Sequence, residues 1–289
     1  MAMEIVKPKL DVVFKKIFGD SENINILKGF LADILDIPID EITDVTFDDT
    51  EVPPDEIEEK FVRFDMSLTT NKGLINVEIQ LSNNGDFPER GLYYWAKRYS
   101  GQLKKGEGYD KIQPTISIYI VDFKMFDTED FYSYFTMADL KHQQILTDKC
   151  GIYFFELPKL DKNYDADNKK KLWMQFINAE SEEELNMLNQ TAVPEIIDGV
   201  RVLYRLSEDD LLRAKAFREE KRIRDERTAL DHATKEGLAE GIEIGKAEGR
   251  AEGEAKGRAD ILAAFRGLGI DEETIRRAMQ VAETNNGNN

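Results

Sequence analysis

Cysteine and histidine are the residues this chain comes closest to doing without. One cysteine (Cys150) and two histidines (His142 and His232) among 289 residues exclude a disulfide framework and a structural zinc site. A His-dependent triad would have to rest on one of those two imidazoles, and neither has a cysteine or acidic partner at ligand spacing. Any catalytic metal is therefore expected on oxygen ligands: magnesium, with manganese or calcium as alternatives, held by Asp and Glu. No apolar run approaches the roughly 18 residues of a membrane helix. Met1 to Lys16 is charged and lacks an apolar stretch followed by a small-residue cleavage site. The expectation is a cytoplasmic chain with no membrane partner.

Positive charge is also scarce, with 39 Lys and Arg against 57 Asp and Glu and a net charge of -18. Such a balance argues against a polyanionic partner, but its distribution weakens the objection. Asp36 to Glu59 holds eleven acids and no base, whereas Arg90 to Lys111 holds six bases against Glu107 and Asp110. With 41% hydrophobic residues the chain can bury a sizeable core.

Periodicity divides the chain. Leu10, Val13, Phe14, Ile17 and Phe18, then Ile24, Leu27, Phe30, Leu31, Ile34 and Leu35, predict two amphipathic helices broken near Gly19. The acidic segment that follows carries Pro38, Pro53 and Pro54 and reads as a solvated connector with a short element in it. From Phe61 to Leu81 the period is two, interrupted at Asn71-Lys72-Gly73, which predicts a β-hairpin. A helix is expected over Arg90 to Lys104, and strands over Thr115 to Phe123 and Ile152 to Leu157. Beyond Leu160 the pattern is helical: Lys169 to Ala179 with a solvated Lys169-Lys170-Lys171, Glu182 to Leu188, and a long charged helix from about Glu195 to about Lys235.

The hairpin sets geometry directly. A two-residue turn at Asn71-Lys72 makes paired positions sum to 143, which places Asp65 opposite Glu78 and Arg63 opposite Gln80. In any register that keeps the apolar residues on one face, Asp65 and Glu78 share the polar face. Facing carboxylates raise one pKa or call in a cation, and a divalent ion would serve. Arg63 and Gln80 would then contact a phosphate or orient a water. The pattern alone also fits the ordinary solvent face of an antiparallel sheet.

Asp65, a short hairpin and Glu78-Ile79-Gln80 resemble the D…ExQ variant of the PD-(D/E)XK nuclease core. More specifically, the chain resembles the Rpn (recombination-promoting nuclease) family of PD-(D/E)XK nuclease family transposases. The likeness lies in Pro8 to Phe18 (PKLDVVFKKIF), Asp65 to Gln80, Arg90 to Pro114 leading into TISIYIVDF, and Phe155-Glu156-Leu157-Pro158-Lys159. It implies an α/β fold: a restriction-endonuclease-like core with a mixed central sheet flanked by helices, plus a C-terminal helical extension. It also implies a metal-dependent DNA endonuclease with little sequence specificity. Carried over by position, Asp65 and Glu78 are metal ligands, and Gln80 fills the place of the superfamily's lysine. An amide cannot act as a base, so Gln80 could only position a water. Asp11 matches the family's N-terminal acid, and Lys15, one turn on, could offer the missing positive charge or be a solvated helix lysine.

Arg90, Lys97, Arg98, Lys104 and Lys105, with Tyr93, Tyr94 and Tyr99, are the candidate DNA surface, for phosphate pairing and stacking. The alternative is an amphipathic helix with its lysines in solvent. Three regions are expected: a nuclease-like core at 1–160, a helical region packed on it at 161–235, and a tail at 236–289. In the tail Gly237, Gly241, Gly245, Gly249, Gly253 and Gly257 recur every four residues. Each glycine costs about 1 kcal/mol against alanine in a helix, so the tail either pairs with another copy or is loosely ordered. A homo-oligomer through the tail is the expectation, with the last residues frayed. The rival to a nuclease is a weakly active or inactive interaction protein on the same fold. A nuclease directed at RNA or single strands is a further alternative, suggested by Tyr93 and Tyr94.

Overall fold

The structure, a computed structural model, describes residues 5–49, 51–52, 62–63, 65–83, 85–161 and 163–286, with the backbone alone at 51–52, 62–63 and 280–286. Contacts divide the chain into two units, Met1–Glu226 and Arg227–Asn289.

The first unit begins with the two expected helices, α1 (Asp11–Phe18) and α2 (Ile24–Leu35). Strand β1 (Val45–Phe47) follows within the acidic segment, and β2 (Glu51–Val52) pairs with β3 (Val62–Arg63) in a separate ribbon. Residues 53–61 of that segment and Phe64 lie outside the described residues. The hairpin is β4 (Met66–Thr70) and β5 (Gly73–Gln80), in the expected register from Thr70 opposite Gly73 to Met66 opposite Val77. Its turn requires glycine at position 73: φ is +122°, and a Cβ there would lie 2.3 Å from the Pro114 carbonyl oxygen.

Helix α3 (Phe87–Ser100) leads to β6 (Thr115–Val121). After it come β7 (Tyr132–Phe135), the small pair β8 (Ala138–Asp139) and β9 (Gln144–Ile145), and β10 (Cys150–Glu156). The six-stranded sheet has the order β1-β4-β5-β6-β10-β7. It is mixed: β5, β6 and β10 run parallel, while β4 and β7 join antiparallel. Helices α4 (Lys169–Ile177), α5 (Glu182–Leu188), α6 (Pro194–Ser207) and the start of α7 (Asp210–Gly267) complete the unit. The long helix expected from about Glu195 is thus interrupted at Glu208 and Asp209, and its second part continues through the glycine repeat.

Side-chain alternation sends each strand's two faces to different cores. Leu68, Ile75, Val77, Ile79, Ile118 and Ile120 pack with the helices, around Phe14, Phe18, Phe30, Trp173 and Phe176. On the other face Tyr119, Val121, Ile152 and Phe154 meet Phe87 and Trp95 of α3. Gly91 lets α3 approach closely; a Cβ there would stand 3.2 Å from the Tyr119 ring, and the Tyr119 hydroxyl donates to the Gly91 carbonyl at 2.7 Å. Lys170 and Lys171, expected in solvent, are buried, the first paired with Asp36 and the second 2.7 Å from Asp161. Desolvated ammonium groups need such partners.

The second unit holds the rest of α7 and α8 (Glu272–Asn286), joined locally by the Arg266–Glu272 ion pair at 2.7 Å. No described helix is long and apolar enough to cross a membrane.

Candidate active site

The polar face of the hairpin is not a solvent face. Ser67, Asn76 and Glu78, with Ser117 beside them, are all buried under α3. The Ser117 hydroxyl donates to Asn76 Oδ1 at 3.0 Å, while Ser67 Oγ and Asn76 Nδ2 of the same row are buried without a partner.

Strand pairing stops at Met66–Val77, one residue before Asp65 and Glu78 would face each other. Asp65 stays at the hairpin's end by another bond: its Oδ2 accepts the Ile79 N–H at 3.0 Å. Its Oδ1 lies 3.3 Å from Lys15 Nζ, and the same ammonium lies 2.6 Å from Asp11 Oδ1. Lys15 and Asp11, one turn apart on α1, are thereby brought to the carboxylate on the sheet. Lys15 keeps 39% of its side chain exposed while pairing with both carboxylates.

The electrostatics follow from this crowding. Burial pushes the Glu78 carboxyl up to about 8, and the Asp65 charge adds to it, against opposing pulls from Arg90 and Lys15. Asp65 is raised by burial and then by Asp11, with Lys15 and the Ile79 N–H holding it back. Burial opposes the Lys15 charge, but the hydrogen bond to Asp11 and the fields of Asp65 and Asp11 outweigh it, so its pKa is raised. Tyr94, on α3 with Arg90, is raised by burial and by the Glu78 charge.

The three carboxylates Asp11, Asp65 and Glu78 open into a cleft of about 460 Å³, whose walls do not include Lys15, Arg90 or Tyr94. Its walls include Asp11, Asp65, Glu78, Gln80 and Ser82, and also Glu219, Arg222, Ile223 and Glu226 from the start of α7. Gln80 Nε2 donates to the Ser82 carbonyl at 2.8 Å, leaving the amide oxygen as the group that can orient a water. Glu219 accepts the N–H groups of Asp11 at 2.8 Å and Val12 at 3.3 Å.

Three expected residues fall elsewhere. Arg63 is not opposite Gln80: it pairs with Glu51 in the β2–β3 ribbon, because the backbone leaves the hairpin before Asp65. Arg98 turns inward, pairing with Asp48 and donating to the Leu68 carbonyl at 3.4 Å, so it ties α3 to β1 and β4. Lys97 is half-buried on the same helix and does not line the cleft. His142, expected without an acidic partner, bonds to Asp139 on an exposed turn, away from these groups.

Sequence reasoning missed Glu219, Arg222 and Glu226. One signal for Glu219 was present: Leu212, Ala216 and Ile223 form the buried stripe of this stretch, and Glu219 occupies the helical position of that stripe between Ala216 and Ile223.

A pair of crowded carboxylates at the end of a parallel-strand core, one with a buried unpartnered oxygen, is an arrangement suited to phosphodiester chemistry. Consistent with it, the family model described as PD-(D/E)XK nuclease family transposase matches residues 8–233, and the chain belongs to that family. No curated protein and no solved structure matches the chain significantly. The family implies a divalent metal. Glu78 Oε2 is buried with no hydrogen-bond partner, and Asp65 and Asp11 of the same cleft add carboxylate oxygens, which suit a hard cation. Among the described residues no group of three or more His, Cys, Asp or Glu could hold an ion. Two carboxylates completed by water and substrate are the manner in which Mg²⁺ is commonly bound.

Proposed function

We propose that this chain is a metal-dependent DNA endonuclease that hydrolyses phosphodiester bonds with little sequence specificity, Mg²⁺ being the ion expected and Mn²⁺ or Ca²⁺ the alternatives. The observation that carries this reading is that Asp65 and Glu78 line one cleft, with a buried Glu78 oxygen lacking a partner. Asp65 and Glu78 would hold the ion, which supplies positive charge to the phosphate under attack.

The remaining chemistry belongs to the chain. Lys15 offers the ammonium that Gln80 cannot, 3.3 Å from Asp65, and can neutralise charge growing on the phosphate. Asp11 holds that ammonium in place. Gln80 orients the attacking water through its amide oxygen, and its proton passes to solvent or to the phosphate, since an amide is no base. On the α3 side Arg90 and Tyr94 border Glu78 and are suited to a phosphate oxygen; Lys97 lies one turn further on.

Plasmid nicking by the wild type, Asp65→Ala and Glu78→Ala, with Mg²⁺, Mn²⁺, Ca²⁺ or EDTA, tests the reading. Cutting that needs metal and is abolished in both folded variants supports it. An inert wild type, or equally active variants, would leave the interaction-protein reading as the better account.

The tail favours a homo-oligomer. At each of the six repeat glycines a Cβ would meet nothing within 4 Å, and Leu238, Ile242 and Ile244 of the same helix are exposed.

A further inference from the structure

Helix α1 starts without a cap of its own. Its N-cap residue is Leu10, which offers no side-chain acceptor, so the first N–H groups need partners from elsewhere. Glu219 supplies both oxygens: Oε1 to the Asp11 N–H at 2.8 Å and Oε2 to the Val12 N–H at 3.3 Å, across more than 200 residues of sequence. The bonds tie the first turn of α1 to α7, beside the core packing of Val13, Phe14, Ile17 and Phe18. One turn later on this short helix stands Lys15, bridging Asp11 and Asp65.

We propose that Glu219 is a positioning residue of the candidate centre, pinning the first turn of α1 so that Lys15 meets Asp65. This rests on the reading of Asp65 and Glu78 as the reacting pair. It makes the first turns of α7 part of the active centre, although they lie far outside the motif-bearing stretches. Neighbouring ties do a different job: Lys7–Glu220 at 2.5 Å and the Val6 N–H to Ser207 at 3.2 Å anchor the segment before α1 and leave the helix's own N–H groups untouched.

The test compares full-length wild type with Glu219→Ala, Glu219→Gln and Glu220→Ala. In metal-free buffer, the rate at which a succinimidyl ester acylates Lys15 is read by peptide mass spectrometry, because an ammonium bridged between two carboxylates reacts slowly. Release from Asp65 is expected to speed Lys15 acylation about fivefold or more in Glu219→Ala. Glu219→Gln, which keeps an acceptor, and Glu220→Ala, which loses only the Lys7 tie, stay within about twofold of wild type. On plasmid DNA with Mg²⁺, kcat of Glu219→Ala falls about tenfold or more, KM changes less than about twofold, and Glu219→Gln restores most of the loss.

Unchanged Lys15 acylation in a Glu219→Ala protein that melts cooperatively would overturn the proposal, as would an equal rise in Glu220→Ala. If Glu219→Ala does not fold, Glu219→Asp, one methylene shorter, is read by the same criteria. A wild type that cuts no DNA defeats the nuclease reading alone, since the acylation rates still decide the role of Glu219.

Discussion

The ammonium of Lys15 lies 3.3 Å from Oδ1 of Asp65, joining the first helix to the mouth of the hairpin. Its field lowers both the Asp65 and Glu78 pKa values against the burial that raises them, alongside the larger pull of Arg90 on Glu78. Lys15→Met therefore raises both pKa values further and removes a positive charge from the place where a phosphate would sit. Cleavage is expected to fall about a hundredfold, with the acid limb of the pH–rate profile moved to higher pH. Lys15→Arg should keep part of the activity. Nicking rates from pH 6 to 9 check this; a Lys15→Met protein with wild-type rate and profile would remove Lys15 from the chemistry.

Glu78 makes the metal-free protein sensitive to pH. Its carboxyl is raised from an ordinary 4.5 to about 8, so between those values the folded state holds more protons than the unfolded chain. Stability from this group is therefore full below pH 4.5 and is lost as pH rises through about 8. Melting temperatures in EDTA should fall from pH 5 to pH 9 in the wild type. Glu78→Gln cannot ionise, so its melting curve should lose most of that slope. Added Mg²⁺ should stabilise the wild type at pH 8 more than the variant, because only the wild type presents both carboxylates. Parallel slopes in the two proteins would refute the assignment of the pH dependence to Glu78.

The centre was legible in the sequence where local rules govern it. The Asn71-Lys72 turn determines the β4–β5 register as far as Met66–Val77, which leads Asp65 toward Glu78, although a bond from the Ile79 N–H and not strand pairing holds it at the hairpin's end. Helical periodicity likewise located α1, which carries Asp11 and Lys15. What was not legible depends on contacts remote in sequence. The departure of Arg63 into a ribbon with Glu51, the pairing of the buried Lys170 with Asp36, and the approach of Glu219 to α1 leave no period in the chain. β7 was missed for a different reason: its mostly exposed Tyr132-Ser133-Tyr134-Phe135 lacks the alternation that marks a half-buried strand.

The Phe155-Glu156-Leu157-Pro158-Lys159 stretch has a structural role that its position at the end of β10 explains. Glu156 accepts the backbone N–H groups of Met125 and Phe126, and Lys159 pairs with it at 2.6 Å with 5% and 0% of the two side chains exposed. Lys159 also donates to the Phe126 carbonyl at 2.7 Å, so the pair closes the loop after β6. Lys159→Met leaves a buried carboxylate without its cation and is expected to cost about 3–5 kcal/mol. Urea denaturation measures it. The double variant Lys159→Met/Glu156→Gln should recover part of the loss, and a Lys159→Met midpoint equal to wild type would deny the pair any role.

The glycine stripe of α7 yields opposite expectations for a lone helix and for an associated one. Successive stripe glycines advance by about 400° on a straight helix and so drift about 40° per step, which a right-handed supercoil between copies would partly follow. In a lone helix, Gly241→Ala, Gly245→Ala and Gly249→Ala together should raise helicity, each by about 1 kcal/mol of propensity. Between closely packed helices the same three methyl groups push the backbones apart and weaken association. Light scattering should give the full chain a mass that is a multiple of 33.2 kDa. Truncation after Lys235 should reduce it to one chain, and the triple alanine variant should dissociate at lower concentrations of denaturant than wild type. A mass unchanged by the truncation would count against self-association through the tail. A triple variant that associates more tightly would mean that propensity, and not close approach, governs the stripe.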